Sequence, residues 1–138
     1  MTMTIDELLQ TPYWIVDILP KQVPMESFGQ YFAVKDYFLT KGQLLKIKQK
    51  HINLILKLNC YEDIRVDEES LPKLKPDQIA AEMRSRYLCI LVRESLIVSE
   101  PDDTYLTVYN PDVNLLELIK TLAASEGLFV WQPESDKE

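Results

Sequence analysis

The apolar positions change their period along the chain, and each change marks an element. Thr4 and Glu7 form a capping pattern ahead of Leu8 and Leu9, which predicts a short first helix stopped by Pro12. Tyr13 to Leu19 is aromatic and β-branched, the composition of a strand. Pro20 and Pro24 then bracket a loop that runs to Gly29. Gln30 to Leu39 reads as a helix with Phe32 and Tyr37 as anchors. Thr40 and Gln43 repeat the capping pattern before a long helix that ends near Leu58. On a helical wheel its apolar residues, from Leu44 and Leu45 to Leu56 and Leu58, cover more than half the circumference. An arc that wide predicts a helix packed across a sheet and against a second element. His51 falls inside the arc. Lys48 lies on the same side and must snorkel to reach water.

Tyr61 to Val66 alternates as a strand does, and Asp67 to Ser70 reads as a solvated loop. Pro72 and Pro76 mark the approach to a further helix, which ends near Arg86 with a strand after it. Leu96–Ser99 and Thr104–Tyr109 form a hairpin around the turn Glu100–Asp103. Asn110 suits an N-cap, with Pro111 at the first helical position and Asp112 complementing the helix dipole. Leu115, Leu116, Leu118, Ile119, Leu122 and Ala123 give that helix one apolar face, and Gly127 is its expected left-handed cap. Leu128 to Trp131 is nearly all apolar, which predicts a strand inside the sheet rather than at its edge. The pattern as a whole is α+β, or mixed α/β. It predicts a single sheet of about five strands, a long central helix and a C-terminal hairpin–helix–strand unit. Residues 1–132 read as one globular domain and 133–138 as a frayed acidic tail.

Composition narrows the function classes. The 138 residues carry a formal charge of −7, with 46% hydrophobic and 27% charged residues, the balance of a soluble globular protein. The N-terminus has neither a basic region nor an apolar core of the signal-peptide kind. No apolar run approaches the ~18 residues of a membrane span. Cys60 and Cys89 belong to no metal-ligand or C-x-x-C spacing and read as buried thiols. These features together predict a cytoplasmic protein without a membrane attachment.

Charge is unevenly placed. Residues 37–61 contain no acid and carry five lysines and the single histidine, so this window is +5 and the rest of the chain is −12. Lys46, Lys50 and Lys57 share one helix face and are candidate phosphate contacts. Three contacts give weak, salt-sensitive binding, and the acidic remainder opposes a polyanion, so nucleic acid is a minor alternative. His51 is a candidate base for a small enzyme or the wall of a small-molecule pocket, against the plainer reading of a hydrogen-bonded core histidine. The acidic turn Glu100–Asp103 lacks the ligand spacing of a calcium loop. No motif calls for a metal or a cofactor.

The aromatics point elsewhere. Seven of thirteen lie between Tyr13 and Phe38, around the proline-bracketed loop. Alternation puts Tyr13 and Trp14 on opposite faces of their strand, so the cluster does not fit one core comfortably. Tyr13, Trp14, Phe28 and Tyr31 are therefore the candidate partner-binding residues. The expectation is a non-enzymatic interaction module that binds another protein. An acidic inhibitor or immunity-type protein facing a basic partner would suit the charge.

Overall fold

The structure, a computed structural model, describes residues 3–66 and 74–134. The expected loop at 67–70, Pro72 and the tail beyond 134 lie outside the described residues. The chain runs α1 (Ile5–Leu8), β1 (Tyr13–Asp17), a 3-10 turn (Met25–Ser27), α2 (Phe28–Phe38), α3 (Lys41–Leu58) and β2 (Ile64–Val66). It continues with α4 (Pro76–Ser85), β3 (Leu88–Val92), β4 (Ser95–Ser99), β5 (Leu106–Tyr109), α5 (Val113–Ser125) and β6 (Phe129–Trp131). This is an α+β fold. Its single sheet has six strands in the order β2-β3-β4-β5-β1-β6, and every described pairing is antiparallel.

Register decides which side chains share a face. Tyr13, Ile15 and Asp17 of β1 lie level with Thr107 and Tyr109 of β5 and with Trp131 and Phe129 of β6. The intervening residues, Val16, Leu106, Val108 and Ile97 among them, turn to the other face. There they meet α3, α4 and α5 in the main core, with Ile52, Ile55, Leu58, Met83 and Ile119 at or near 0% exposure. On the first face, Leu8 of α1 packs with Cys89, Leu91 and Leu96 in a smaller cluster. The sheet is thus fully roofed by helices on one side. On the other, α1 covers the β3–β4 region and leaves the β1–β5–β6 end to be lined by aromatic side chains.

Local chemistry explains most boundaries. The box at α1 forms as its spacing predicts: Glu7 N–H donates to Thr4 Oγ1, and Thr4 N–H to Glu7 Oε1. At α3 it does not. Thr40 takes the N-cap position, but its hydroxyl donates backward to the Tyr37 carbonyl at 2.7 Å. The two helices follow each other so closely that the Thr40 hydroxyl is turned back toward the last turn of α2, and its oxygen accepts from no α3 amide. The loop expected up to Gly29 is shorter too, because helical structure begins at Met25 and α2 at Phe28. The ambiguous stretch after Arg86 is strand, and it pairs with β4 across a tight turn at Arg93 and Glu94. Arg93 holds a left-handed φ of 53° there. Its guanidinium is tied to Glu62 and, at 3.1 Å, to Asp112, contacts that help offset the backbone cost.

The start of α5 corrects a sequence expectation. Asn110 is not the N-cap; it sits in the left-handed region at φ 59° and its amide donates to the Glu94 carbonyl. Asp112 caps instead, accepting from Leu115 N–H at 2.7 Å. Proline restricts the residue before it, and an Asn tolerates the left-handed turn, so the helix starts beyond Pro111. Asp112→Ala is expected to lower stability by about 1 kcal/mol through loss of the cap. A urea midpoint that does not move would show the cap to be dispensable. The helix ends as expected, with Gly127 at φ 75° and Leu128 N–H closing on the Ala123 carbonyl at 2.8 Å.

The last strand is a second correction. Leu128 to Trp131 reads as a central strand, yet β6 lies at the sheet edge and pairs only with β1. Its apolar run has another cause. Leu128 packs in the core under α5, with Val130 against it, while Phe129 and Trp131 face the aromatic side. A strand served on both faces reads apolar throughout wherever it stands.

Candidate functional site

The aromatic end of the sheet forms a groove of about 440 Å³. Its floor is Tyr13, Ile15 and Asp17 of β1, Thr107 and Tyr109 of β5, and Trp131 of β6. Leu9 beside α1, Tyr31 of α2, Tyr105, Gln22 and Pro133 make the walls. Tyr13 and Tyr109 are cross-strand partners with ring centroids 5.4 Å apart. Leu128 and Val16 hold the strands from below through the core.

One carboxylate sits in this groove. Asp17 is 9% exposed, and burial raises its pKa above the usual value. The Ile18 and Leu19 backbone N–H groups, the Trp131 indole and Lys35 oppose that rise. The Trp131 N–H is buried and close enough to act on Asp17, yet it completes no hydrogen bond among the described residues. Burial also raises the Tyr105 and Tyr109 phenols, and neighbouring acids and phenols add to the effect on Tyr105. The groove is therefore a mixed aromatic and polar space, with one buried acid among the described residues that line it.

Of the four expected partner-binding residues, the structure brings Tyr13 and Tyr31 into this groove. Phe28 stands next to it, with its ring centroid 6.2 Å from Tyr31 and 5.8 Å from Phe32. Trp14 is half-buried and lies apart, on the helix-covered side of the sheet, as strand alternation requires. Asp17, Tyr105, Tyr109 and Trp131 are the residues sequence reasoning missed. The period-2 spacing of Tyr13, Ile15 and Asp17 was the available signal, but nothing local joins it to β5 or β6.

Helix α2 contributes a second feature. None of its eleven residues is buried. Tyr31 and Lys35 turn toward β1, and the Lys35 ammonium lies 5.9 Å from the Tyr31 ring centroid. Phe32 and Tyr37 are 54% and 57% exposed, and Met25 just before the helix is 79% exposed.

His51 and Lys48 behave differently from both expectations. His51 is in the core at 0% exposure, but neither ring nitrogen has a hydrogen-bond partner among the described residues. Burial, then the Lys48 charge, holds its pKa down to about 3, and the Thr104 backbone only partly opposes this. A neutral imidazole closed off from solvent lends no support to a catalytic base. Lys48 does not snorkel; it is 2% exposed. Its ammonium donates to the Glu100 carbonyl at 2.8 Å and to Ser99 Oγ at 3.3 Å. Burial lowers it to about 8, against the pull of Asp103, Asp102 and Glu100. The acidic turn thus faces a cation of the protein's own. Among the described residues no three His, Cys, Asp or Glu side chains are grouped to hold a metal. Cys60 is exposed rather than buried, and Cys89 is buried.

The lysine face is occupied as well. Lys57 bridges to Glu126 at 2.5 Å and donates to Ser125 at 2.9 Å. Asn53 donates to the same Glu126 carboxylate at 3.0 Å. Burial raises Glu126, but Lys57, Asn53 and Lys50 outweigh it and leave its pKa below the usual range. These cations sit at the C-terminus of α5, where the helix dipole favours them. Lys46 remains exposed. The stripe is thus largely a packing seam between α3 and α5.

No family model matches the chain, and neither a curated protein nor a solved structure matches it. Among the described residues no helix is long and apolar enough to cross a membrane.

Proposed function

We propose that this chain is a protein-interaction module that docks a partner on the outer face of α2. Within that class it acts as an acidic inhibitor or immunity-type protein whose partner is basic. One observation carries the reading: an eleven-residue helix with aromatic and aliphatic side chains buries none of them. Phe32 and Tyr37, and Met25 in the turn before the helix, stay in water at a cost that a docked surface would remove. Large aromatics of this kind are the usual anchors of protein interfaces. The formal charge of −7 favours a basic partner by steering the encounter.

The reading is tested by capture from native lysate with the wild type and with the double variant Phe32→Ser, Tyr37→Ser. The wild type is expected to retain a protein of high isoelectric point, less so at high salt, and the variant to lose it. Retention that survives the double change would sink the proposal, as would retention of acidic proteins only. Sedimentation of the free chain supplies a further check, since a dimer that the same variant dissolves would make the partner a second copy.

A further inference from the structure

The groove at the open end of the sheet holds more than a docking helix needs. It lies on the β1–β5–β6 face, beside α2 rather than on its outer side. Its chemistry would stand even if α2 bound nothing.

Four tyrosines and a tryptophan line it, and its single carboxylate, Asp17, comes from the floor. Aromatic ring faces carry negative potential and attract cations, most strongly where water is excluded. The protein already uses this property once, at the rim. Lys35 stands over Tyr31, in a crevice it shares with Asp17, Val34 and Phe38. Tyr31 and Asp17 line both spaces, whereas Lys35 lines only the crevice. The groove proper therefore has the aromatic walls and the acid, and among the described residues that line it none is a cation. Its volume of about 440 Å³ lies within the ~300–1,000 Å³ range of small-molecule sites.

From this arrangement we infer that the groove is a binding site for a small organic cation, an alkylammonium or guanidinium compound. The charged group sits against the Asp17 carboxylate beside Tyr31 and Tyr105, at the opposite end of the groove from the Tyr13–Tyr109 pair. The uncharged part of the ligand lies along Ile15, Thr107 and Trp131. Strand pairing fixes the distances between the floor residues, so the floor is built before any ligand arrives.

The test uses the full chain with two soluble probes of nearly equal shape, choline and its uncharged carbon analogue 3,3-dimethylbutan-1-ol. Binding is followed by the nitrogen-15 resonance of the Trp131 indole, with Trp14 on the opposite face as the internal control. Choline is expected to shift Trp131 saturably and to leave Trp14 in place. The uncharged analogue should bind at least tenfold more weakly. Asp17→Asn should weaken choline at least tenfold, and Tyr31→Leu, a change on the α2 wall of the groove, should weaken it several-fold with Asp17 intact. Equal binding of the two probes would reduce the groove to an apolar cleft and overturn the inference. So would the absence of any Trp131 shift, or choline binding unchanged in a folded Asp17→Asn or Tyr31→Leu chain. N-acetyl-lysinamide forms the third arm. If it alone shifts Trp131, the site captures a partner's side chain, and the small-molecule assignment fails.

Discussion

Replacing His51 with leucine is expected to stabilise the protein by about 1–3 kcal/mol at neutral pH, the cost of buried polar groups left without partners. The ring is fully buried and both its nitrogens are unsatisfied among the described residues, while leucine has similar bulk and no polar atoms. The pH dependence gives the sharper signature. The folded pKa is lowered from an ordinary 6.5 to about 3. Between those values the unfolded chain takes up a proton that the folded chain refuses. The wild type therefore loses stability as pH falls through that window, by up to about 1.4 kcal/mol per pH unit from this one group. His51→Leu lacks that contribution, so its advantage grows from pH 6.5 toward pH 3. Urea unfolding at a series of pH values measures both effects. A variant whose profile runs parallel to the wild type, or lies below it, would show that His51 does contribute a favourable interaction.

The opposite sign is expected one position along. Ile52→Ala removes a side chain at 0% exposure from the centre of the main core and should cost about 2–5 kcal/mol, transfer and cavity terms together. Leu45→Ala on the same helix should change stability by less than about 0.5 kcal/mol, because Leu45 is 52% exposed. The pair separates burial from helix propensity, since alanine favours the helix at both positions. Comparable losses at the two sites would mean that the face α3 presents to the sheet is wrongly placed. Total stabilities of roughly 5–15 kcal/mol make the Ile52 change sufficient to leave a weakly stable chain partly unfolded.

That contrast shows what periodicity can and cannot reveal. The wheel finds the long helix and its broad apolar arc, and it puts His51 in the core. It cannot separate Leu45, which is exposed, from Ile52, because both are merely apolar. Lys48 fails for a related reason. A lysine on an apolar face normally reaches water, but here the β4–β5 connection, 51 residues away, supplies the Ser99 hydroxyl and the Glu100 carbonyl that let it stay buried. The turn at Glu100–Asp103 was legible from local composition, whereas the stretch after Arg86 keeps both helical and strand spacing and is decided by the pairing of β3 with β4. The edge position of β6 was not legible, because strand order is a long-range property and its apolar run has a different source.

The groove was half legible for the same reason. Tyr13 and Tyr31 stand out through their local density of aromatics. Tyr105, Tyr109 and Trp131 belong to the other end of the chain and reach the site only through the pairing of β1 with β5 and β6. Asp17 lies inside the predicted strand Tyr13–Leu19, and nothing in that local pattern marks it as buried. Its burial, and so its interest, depends on neighbours more than eighty positions distant in the sequence.

Both margins of the sheet are short. Among the described residues, strands Ile64–Val66 and Phe129–Trp131 have three residues each, too few for a long ladder with an incoming chain. Proteins blunt their sheet borders in this way to avoid templating uncontrolled stacking. A molecule so bounded is poorly suited to recruiting others by adding strands. Its associations must therefore run through side chains, which read the chemistry of a visitor, rather than through backbone, which accepts almost any sequence.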